Sequence, residues 1–403
     1  PGGASKEYIV ADNPVKGDDH SSPIIFADSY GRLHIFFAGH LSPLHHYYTP
    51  DPIDLEAWSY EKIEGEMTYS LPVNYKDRLY VVTRVGNFWE IYDVEAKTFK
   101  TLIKDGVYVT SVESDGKYIY VMWSRLFKPS GCPEYIRNGV YILKTDLNKV
   151  YSLDGKKAVD KVTSSVEEYF LVKKMPDATA ENYEQFYKYS FVGRLQIYPI
   201  DFDPIHRRIL YAESASPTQL NIKLLNLDTG EEEVIKTISK PCDLFFPVGG
   251  FVRGDEVVFN GDGNIYLYKI DSEKLEVFDK GYYVQPIYNA PGFIYQYVTE
   301  CPKSKPMALI PEGELRLGLE EGAATTYKLT TVSHVTKTVT VYSTKFSRST
   351  TTIVNYETVT EYKEKPYIPT GYKLLTLLLF FGLIASLAYA LSSRSKSGKG
   401  ART

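Results

Sequence analysis

Hydrophobic and polar positions alternate in short runs along the first 320 residues, and the runs are closed by Gly, Asp or Asn. Ile24–Ala27 and Leu33–Ala38 are two apolar runs on either side of Asp28-Ser29-Tyr30-Gly31, where glycine is available for a positive φ. This pattern predicts a β-hairpin. Antiparallel strands bring the start of one and the end of the next together, so His20 and His40 are expected at one end of the sheet, sharing one pocket.

The same texture recurs. Units are expected over 21–66, 68–108 and 109–158, the second with strands at 79–84, 88–93 and 98–103. A polar stretch at 160–190, with a short helix at 180–186, interrupts the rhythm. Strands then resume at 195–200, 209–213, 221–227 and 232–238, and again at 242–248, 256–260, 264–270 and 275–279, with final strands near 286–288, 292–298 and 306–310. A repeat of roughly 40 to 50 residues is the period of propeller blades. The expected fold is all-β, a six- or seven-bladed β-propeller over 1–320, with the strand at 7–11 completing the last blade. A pair of β-sandwiches is the alternative architecture.

Beyond 320 the texture changes. Thr and Ser fill 17 of the 36 positions from 325 to 360, with no Gly or Pro, and Val335, Val339 and Val341 alternate with Thr336, Thr338 and Thr340. A period of two favours extended structure, so 321–366 is expected to be a stalk, mobile or paired with neighbouring copies. Fully extended it would reach roughly 120 Å at ~3.3 Å per residue. Residues 372–391 are almost wholly apolar, and twenty residues of helix span roughly 30 Å, the thickness of the hydrocarbon core. A membrane helix is therefore expected at 367–392. Arg394, Lys396, Lys399 and Arg402 follow it with no acid, which puts the tail 393–403 in the cytoplasm and the N-terminal domain outside a plasma membrane or envelope. Pro1 to Ser5 holds neither an initiator Met nor an apolar signal core, so the expected start is a mature or trimmed one.

Composition narrows the function classes. The 35 Tyr and 19 Phe favour strands, and a net charge of −4 offers no basic field, so nucleic acid is not expected as a partner. Cys132, Cys242 and Cys301 allow at most one disulfide, and no CxxC or CxxH spacing suggests zinc. No metal or cofactor is expected. There is no Asn-x-Ser/Thr glycosylation site.

Asp18-Asp19-His20, Pro23, Gly31-Arg32-Leu33 and Gly39-His40 occur in the order seen in BNR-type propellers that include ulvan-lyase-like polysaccharide lyases, and the stretch resembles that family. Thr68-Tyr69-Ser70-Leu71-Pro72, with Asp77-Arg78-Leu79-Tyr80 and Thr83-Arg84-Val85-Gly86, resembles its second blade, and Asn138-Gly139-Val140-Tyr141 through Leu153-Asp154-Gly155 its third. The likeness covers about 12–160. The Thr-rich stretch before an apolar C-terminal segment is similar in composition to archaeal cell-surface and S-layer anchor proteins.

The resemblance implies β-elimination on a uronic-acid chain, in which a base takes the C5 proton, a cation neutralises the carboxylate and an acid protonates the leaving oxygen. Imidazole, arginine and tyrosine suit those tasks. Carried over position by position, the expected catalytic set is His20 or His40 as base, Tyr69 as acid and Arg84 as carboxylate clamp. His45 and His46 are adjacent in a strand and point to opposite faces, so they are not expected to share a metal. Asp201 and Asp203 read as turn chemistry before a basic turn rather than as paired hydrolase carboxylates. Three classes of function follow: a surface-tethered enzyme or binder of acidic polysaccharide, a structural component of an envelope layer that associates through its stalk, and an adhesion or receptor module for a surface glycan, cellular or viral.

Overall fold

The computed structural model describes residues 7–12, 23–51, 56–104, 107–127, 136–137, 139–174, 197–216, 219–239, 249–281, 283–286, 293–297, 314–318 and 328–332. All lie in a compact unit spanning Pro1–Thr350. The expected helix at 180–186, the strands at 242–248 and 306–310, the three cysteines, most of the stalk and the segment 372–391 lie outside the described residues. Among the described residues no helix is long and apolar enough to cross a membrane.

The chain folds as consecutive antiparallel meanders. The first holds Ile24–Ala27, Leu33–Ala38, Ser42–Tyr48 and the outer part of Ser59–Tyr75. The second takes the inner part of that long strand and adds Arg78–Val85, Phe88–Asp93 and Thr98–Lys104. The hand-over falls at Met67, which pairs with Ser42 on one side and Val85 on the other. Gly65, two residues earlier, has a φ of +149°, which strains any residue with a Cβ.

The third meander is Val107–Ser114, Ile119–Phe127, Gly139–Thr145 and Val150–Ser152. The fourth is Ile197–Asp203, Arg208–Ser216, Gln219–Asn226 and Glu232–Ser239. The fifth is Gly250–Arg253, Glu256–Gly261, Asn264–Lys269 and Lys274–Lys280. A three-stranded sheet follows, with Tyr283–Pro286, Phe293–Tyr297 and Glu314–Gly318.

Side-chain carbonyl and carboxylate oxygens shape the hairpin turns. Asp93 accepts from the amides of Glu95 and Ala96, Asp146 from Asn148 and Lys149, Asp203 from Ile205 and His206, and Asn226 from Asp228 and Thr229. Each oxygen stands in for a missing main-chain acceptor, which is why Asp and Asn close these runs.

The hydrophobic core is divided between neighbouring meanders. Phe36, Leu44 and Met67 of the first meet Leu79, Val81 and Tyr92 of the second. Trp89, Ile91 and Leu102 meet Val121, Trp123 and Leu143 across the next gap. Tyr120 and Ile142 pack on Phe202 and Tyr211, and Leu210 and Ile222 pack on Val257 and Phe259. Phe251 and Val258 then meet Val284 and Phe293. From the second meander to the sixth sheet, the strands that open successive sheets are neighbours. Sheets packed face to face in chain order, with their opening strands side by side, form a β-propeller-like domain rather than a pair of sandwiches.

One expectation is corrected. Glu7–Asp12 does not complete the last sheet; it pairs in parallel with Lys328–Val332, inside the Thr-rich stretch read as a stalk. The β-branched residues of that stretch offer a strand where the N-terminal one needs a partner. The fifth meander opens with Gly250–Arg253.

Candidate functional site

Three consecutive opening strands each carry a tyrosine: Tyr69, just past Met67 in the long strand Ser59–Tyr75, and Tyr108 and Tyr198, each second in its strand. Each strand also breaks register there, between Thr68 and Leu71, opposite Met122 and Trp123, and between Pro199 and Asp201. A bulge inserts a residue and re-aims the side chains around it. At the first of these Tyr69 has a φ of +66°, a conformation that costs a non-glycine residue energy and must be held by its surroundings.

The surroundings do hold it. The hydroxyl of Thr83, fully buried, donates to the Tyr69 carbonyl at 2.8 Å, and the Tyr69 ring stacks on Trp89 at 6.0 Å and 3°. Trp89 is fixed in turn by its indole N–H, which donates to the Val107 carbonyl at 2.9 Å.

Two arginines face the tyrosines. Arg84 pairs in register with Thr68, and its guanidinium lies 5.4 Å from the Tyr69 ring centroid. Among the described residues nothing accepts a hydrogen bond from its buried Nε. Arg137, in the two-residue strand Ile136–Arg137, lies 4.5 Å from the Tyr108 ring and 5.2 Å from that of Tyr198. Burial pushes the Tyr69 phenol pKa up, and Tyr108 adds to this while Arg84 and Arg137 oppose it. Tyr69 therefore keeps its proton at neutral pH, as a proton donor must. Burial also pushes the Arg137 pKa down, against the phenols of Tyr198, Tyr108 and Tyr69.

His40 is exposed, in the turn between Leu33–Ala38 and Ser42–Tyr48. The next residue, Leu41, donates its amide to the Thr68 hydroxyl at 3.0 Å, tying the turn to the Tyr69 bulge. Thus Tyr69 and Arg84 meet, and the His40 turn is anchored beside them. His20 lies outside the described residues. Tyr108, Arg137 and Tyr198 were missed in the sequence, although Tyr108 and Tyr198 stand second in their strands, as a search of strand starts could have found. The set can grip an anionic group with its arginines and stack a sugar ring on its phenols.

His45 and His46 point to opposite faces, as expected. His45 Nδ1 lies 2.9 Å from the Tyr60 hydroxyl. His46 is buried, with Nε2 2.9 Å from His34 Nδ1, and His34 Nε2 is 3.2 Å from Asp28 Oδ2. Hydrogen bonds from His34 and Arg32 outweigh burial and hold the Asp28 pKa low, so this carboxylate only accepts. His34 then donates from Nε2, and in its neutral form accepts at Nδ1 from His46. That leaves His46 Nδ1 as a buried lone pair with no hydrogen-bond partner, 3.8 Å from Glu61. Burial and His34 push the His46 pKa down to about 2. Among the described residues no group of three or more His, Cys, Asp or Glu is placed to hold a metal.

The Asp201 and Asp203 carboxylates join sheets. Asp201 accepts from the Ser111 hydroxyl at 2.7 Å and the Val252 amide at 2.9 Å, so it bridges the third, fourth and fifth meanders. Asp203 caps its own turn and accepts from the Gly254 amide at 3.0 Å. Turn chemistry describes Asp203, and Asp201 is an inter-sheet tie. Burial, followed by the charge of Asp201, pushes the Glu113 pKa well up.

Residues 4–186 match the BNR repeat-containing family. The match covers less than half of the chain and, with the stacked meanders, fits a BNR- and β-propeller-like domain. No curated protein matches the chain. Among solved structures, a nidogen/laminin complex is 9% identical, with 64% of this chain and 81% of that chain covered and a TM-score of 0.37. An oligogalacturonate lyase in complex with manganese is 10% identical, with 70% and 87% covered and the same TM-score of 0.37.

Proposed function

We propose that the chain is a membrane-tethered, six-bladed propeller that displays an acidic-polysaccharide site outside the cell. One observation carries the reading: a guanidinium packed on a proton-holding phenol, with a buried Nε that no described residue accepts from. Buried donors are normally satisfied, and a sugar carboxylate is an acceptor with the right charge. Cleavage by β-elimination is the matching activity, with Arg84 neutralising the carboxylate, His40 or His20 removing the C5 proton and Tyr69 protonating the leaving oxygen. The segment 372–391 is the anchor, and the Thr-rich stretch beyond Val332 is the spacer.

The test uses a purified oligouronate. Arg84→Ala should weaken binding roughly ten- to hundredfold, since a charge-assisted hydrogen bond contributes about 1.5–3 kcal/mol, and any cleavage should fall with it. Tyr69→Phe should spare binding and slow the release of unsaturated, ultraviolet-absorbing product by roughly 10²–10⁴. Tight binding with no such product from the wild type would instead identify an adhesion module. Equal binding of neutral and acidic chains would sink the reading. For the topology, protease added to intact cells should remove the whole propeller, and its protection would place the domain inside.

A further inference from the structure

We infer that Arg137 is the specificity-determining residue of this site, a buried cation beneath the tyrosines that makes the pocket select anionic over neutral sugars. The inference rests on the acidic-polysaccharide reading and adds a source for the selectivity that Arg84 alone does not supply. Arg84 is only half-buried, so water and salt weaken its field. Arg137 is 4% exposed, and a charge held in such surroundings acts over a longer range.

The geometry directs that charge at the ligand surface. The guanidinium is 4.5 Å from one phenol ring and 5.2 Å from another, on the opening strands of adjacent meanders. The phenols of Tyr198, Tyr108 and Tyr69, all of the candidate site, in turn favour the charged form of Arg137 against its burial. It also hydrogen-bonds Tyr198. A guanidinium has donors only, so the Tyr198 oxygen is the acceptor, and the hydroxyl proton of Tyr198 is turned away from Arg137. The rings of Tyr108 and Tyr198 thus rest on a fixed positive charge. A neutral sugar gains nothing from it, whereas a carboxylate against the phenols gains an attraction that no side chain must move to supply.

The experiment compares an oligouronate with its fully methyl-esterified counterpart of the same length, which is uncharged and otherwise alike. On the full chain, wild type should prefer the acid. Arg137→Gln should narrow that preference at least fivefold while leaving affinity for the ester within twofold. A residue needed only for packing would instead weaken both ligands equally, and that outcome, or an unchanged ratio, overturns the inference. If Arg137→Gln does not fold, wild type alone still decides. Raising salt from about 0.1 to about 0.5 M should erode the part of the preference due to Arg84 and leave a residue due to the buried charge. Loss of the whole preference with salt overturns the assignment to Arg137. If wild type binds neither ligand, the polysaccharide reading itself falls, which a wild type that binds both with an Arg137-independent ratio does not imply.

Discussion

Between about pH 6 and pH 4 the wild-type domain should lose stability relative to His46→Gln by roughly 1.4 kcal/mol for each pH unit. The folded protein holds the His46 ring far below its ordinary pKa, first by burial and then by the neighbouring His34. The unfolded chain binds a proton at this residue below about pH 6.5 and the folded one does not, so falling pH favours unfolding. The groups around His46 are His34, Glu61, Lys97 and Arg32, with Phe36 and Tyr48 stacked on the ring. Asp28 does not produce this slope. Its pKa is depressed, so its contribution is present above its unfolded value near 4 and is lost only as pH falls further.

Glu113 and Asp201 act in the opposite sense, because burial raises their pKa values and their ionisation costs stability as pH rises. Both remain in the variant, so the difference between the two proteins isolates His46. A Gln amide can still donate to His34 Nδ1 and has no ring to protonate. Urea unfolding at pH 7, 6, 5 and 4.5 measures the difference, and parallel curves would show that His46 takes up its proton in the folded state.

Asp201→Ala should be the most damaging single change among the inter-sheet ties. It removes the acceptor for a buried hydroxyl on the third meander and for a main-chain amide on the fifth. Each donor left unsatisfied costs about 1–3 kcal/mol, so the total loss is about 2–6 kcal/mol, enough to unfold many domains at ordinary temperature. Asp201→Asn keeps one acceptor oxygen and removes the cost of ionising a buried acid, so it should lose less than half as much. Thermal unfolding of the two variants at pH 7 distinguishes them. Equal losses would mean that the charge itself, rather than the pair of hydrogen bonds, joins the sheets.

The strands were legible because each has local punctuation. Phe88–Asp93 is bounded by a Gly-Asn turn and by Asp93, whose carboxylate builds the next turn, and the expected and observed limits coincide. The pairing of Glu7–Asp12 was not legible, because its partner lies more than 300 residues away. Tyr69 and Arg84 could be placed together because they belong to one meander, on neighbouring strands. Tyr108, Tyr198 and Arg137 reach the site only through the stacking of the third and fourth sheets, which a position at the start of a strand does not specify. With 35 tyrosines in the chain, residue type alone could not select these two. The Asp28–His34–His46 chain was hidden for a related reason: alternation put His45 and His46 on opposite faces, but the partner of His46 belongs to the neighbouring strand.

The parallel pairing of Glu7–Asp12 with Lys328–Val332 sets how the domain bears a mechanical load. In a parallel pair both strands end on the same side, so Asp12 and Val332 lie together at one end of the pair. A pull applied there meets the hydrogen bonds of this pair one after another, as a zipper opens, rather than all together in shear. The pair is therefore a weak link that yields at low force and leaves the stacked meanders intact.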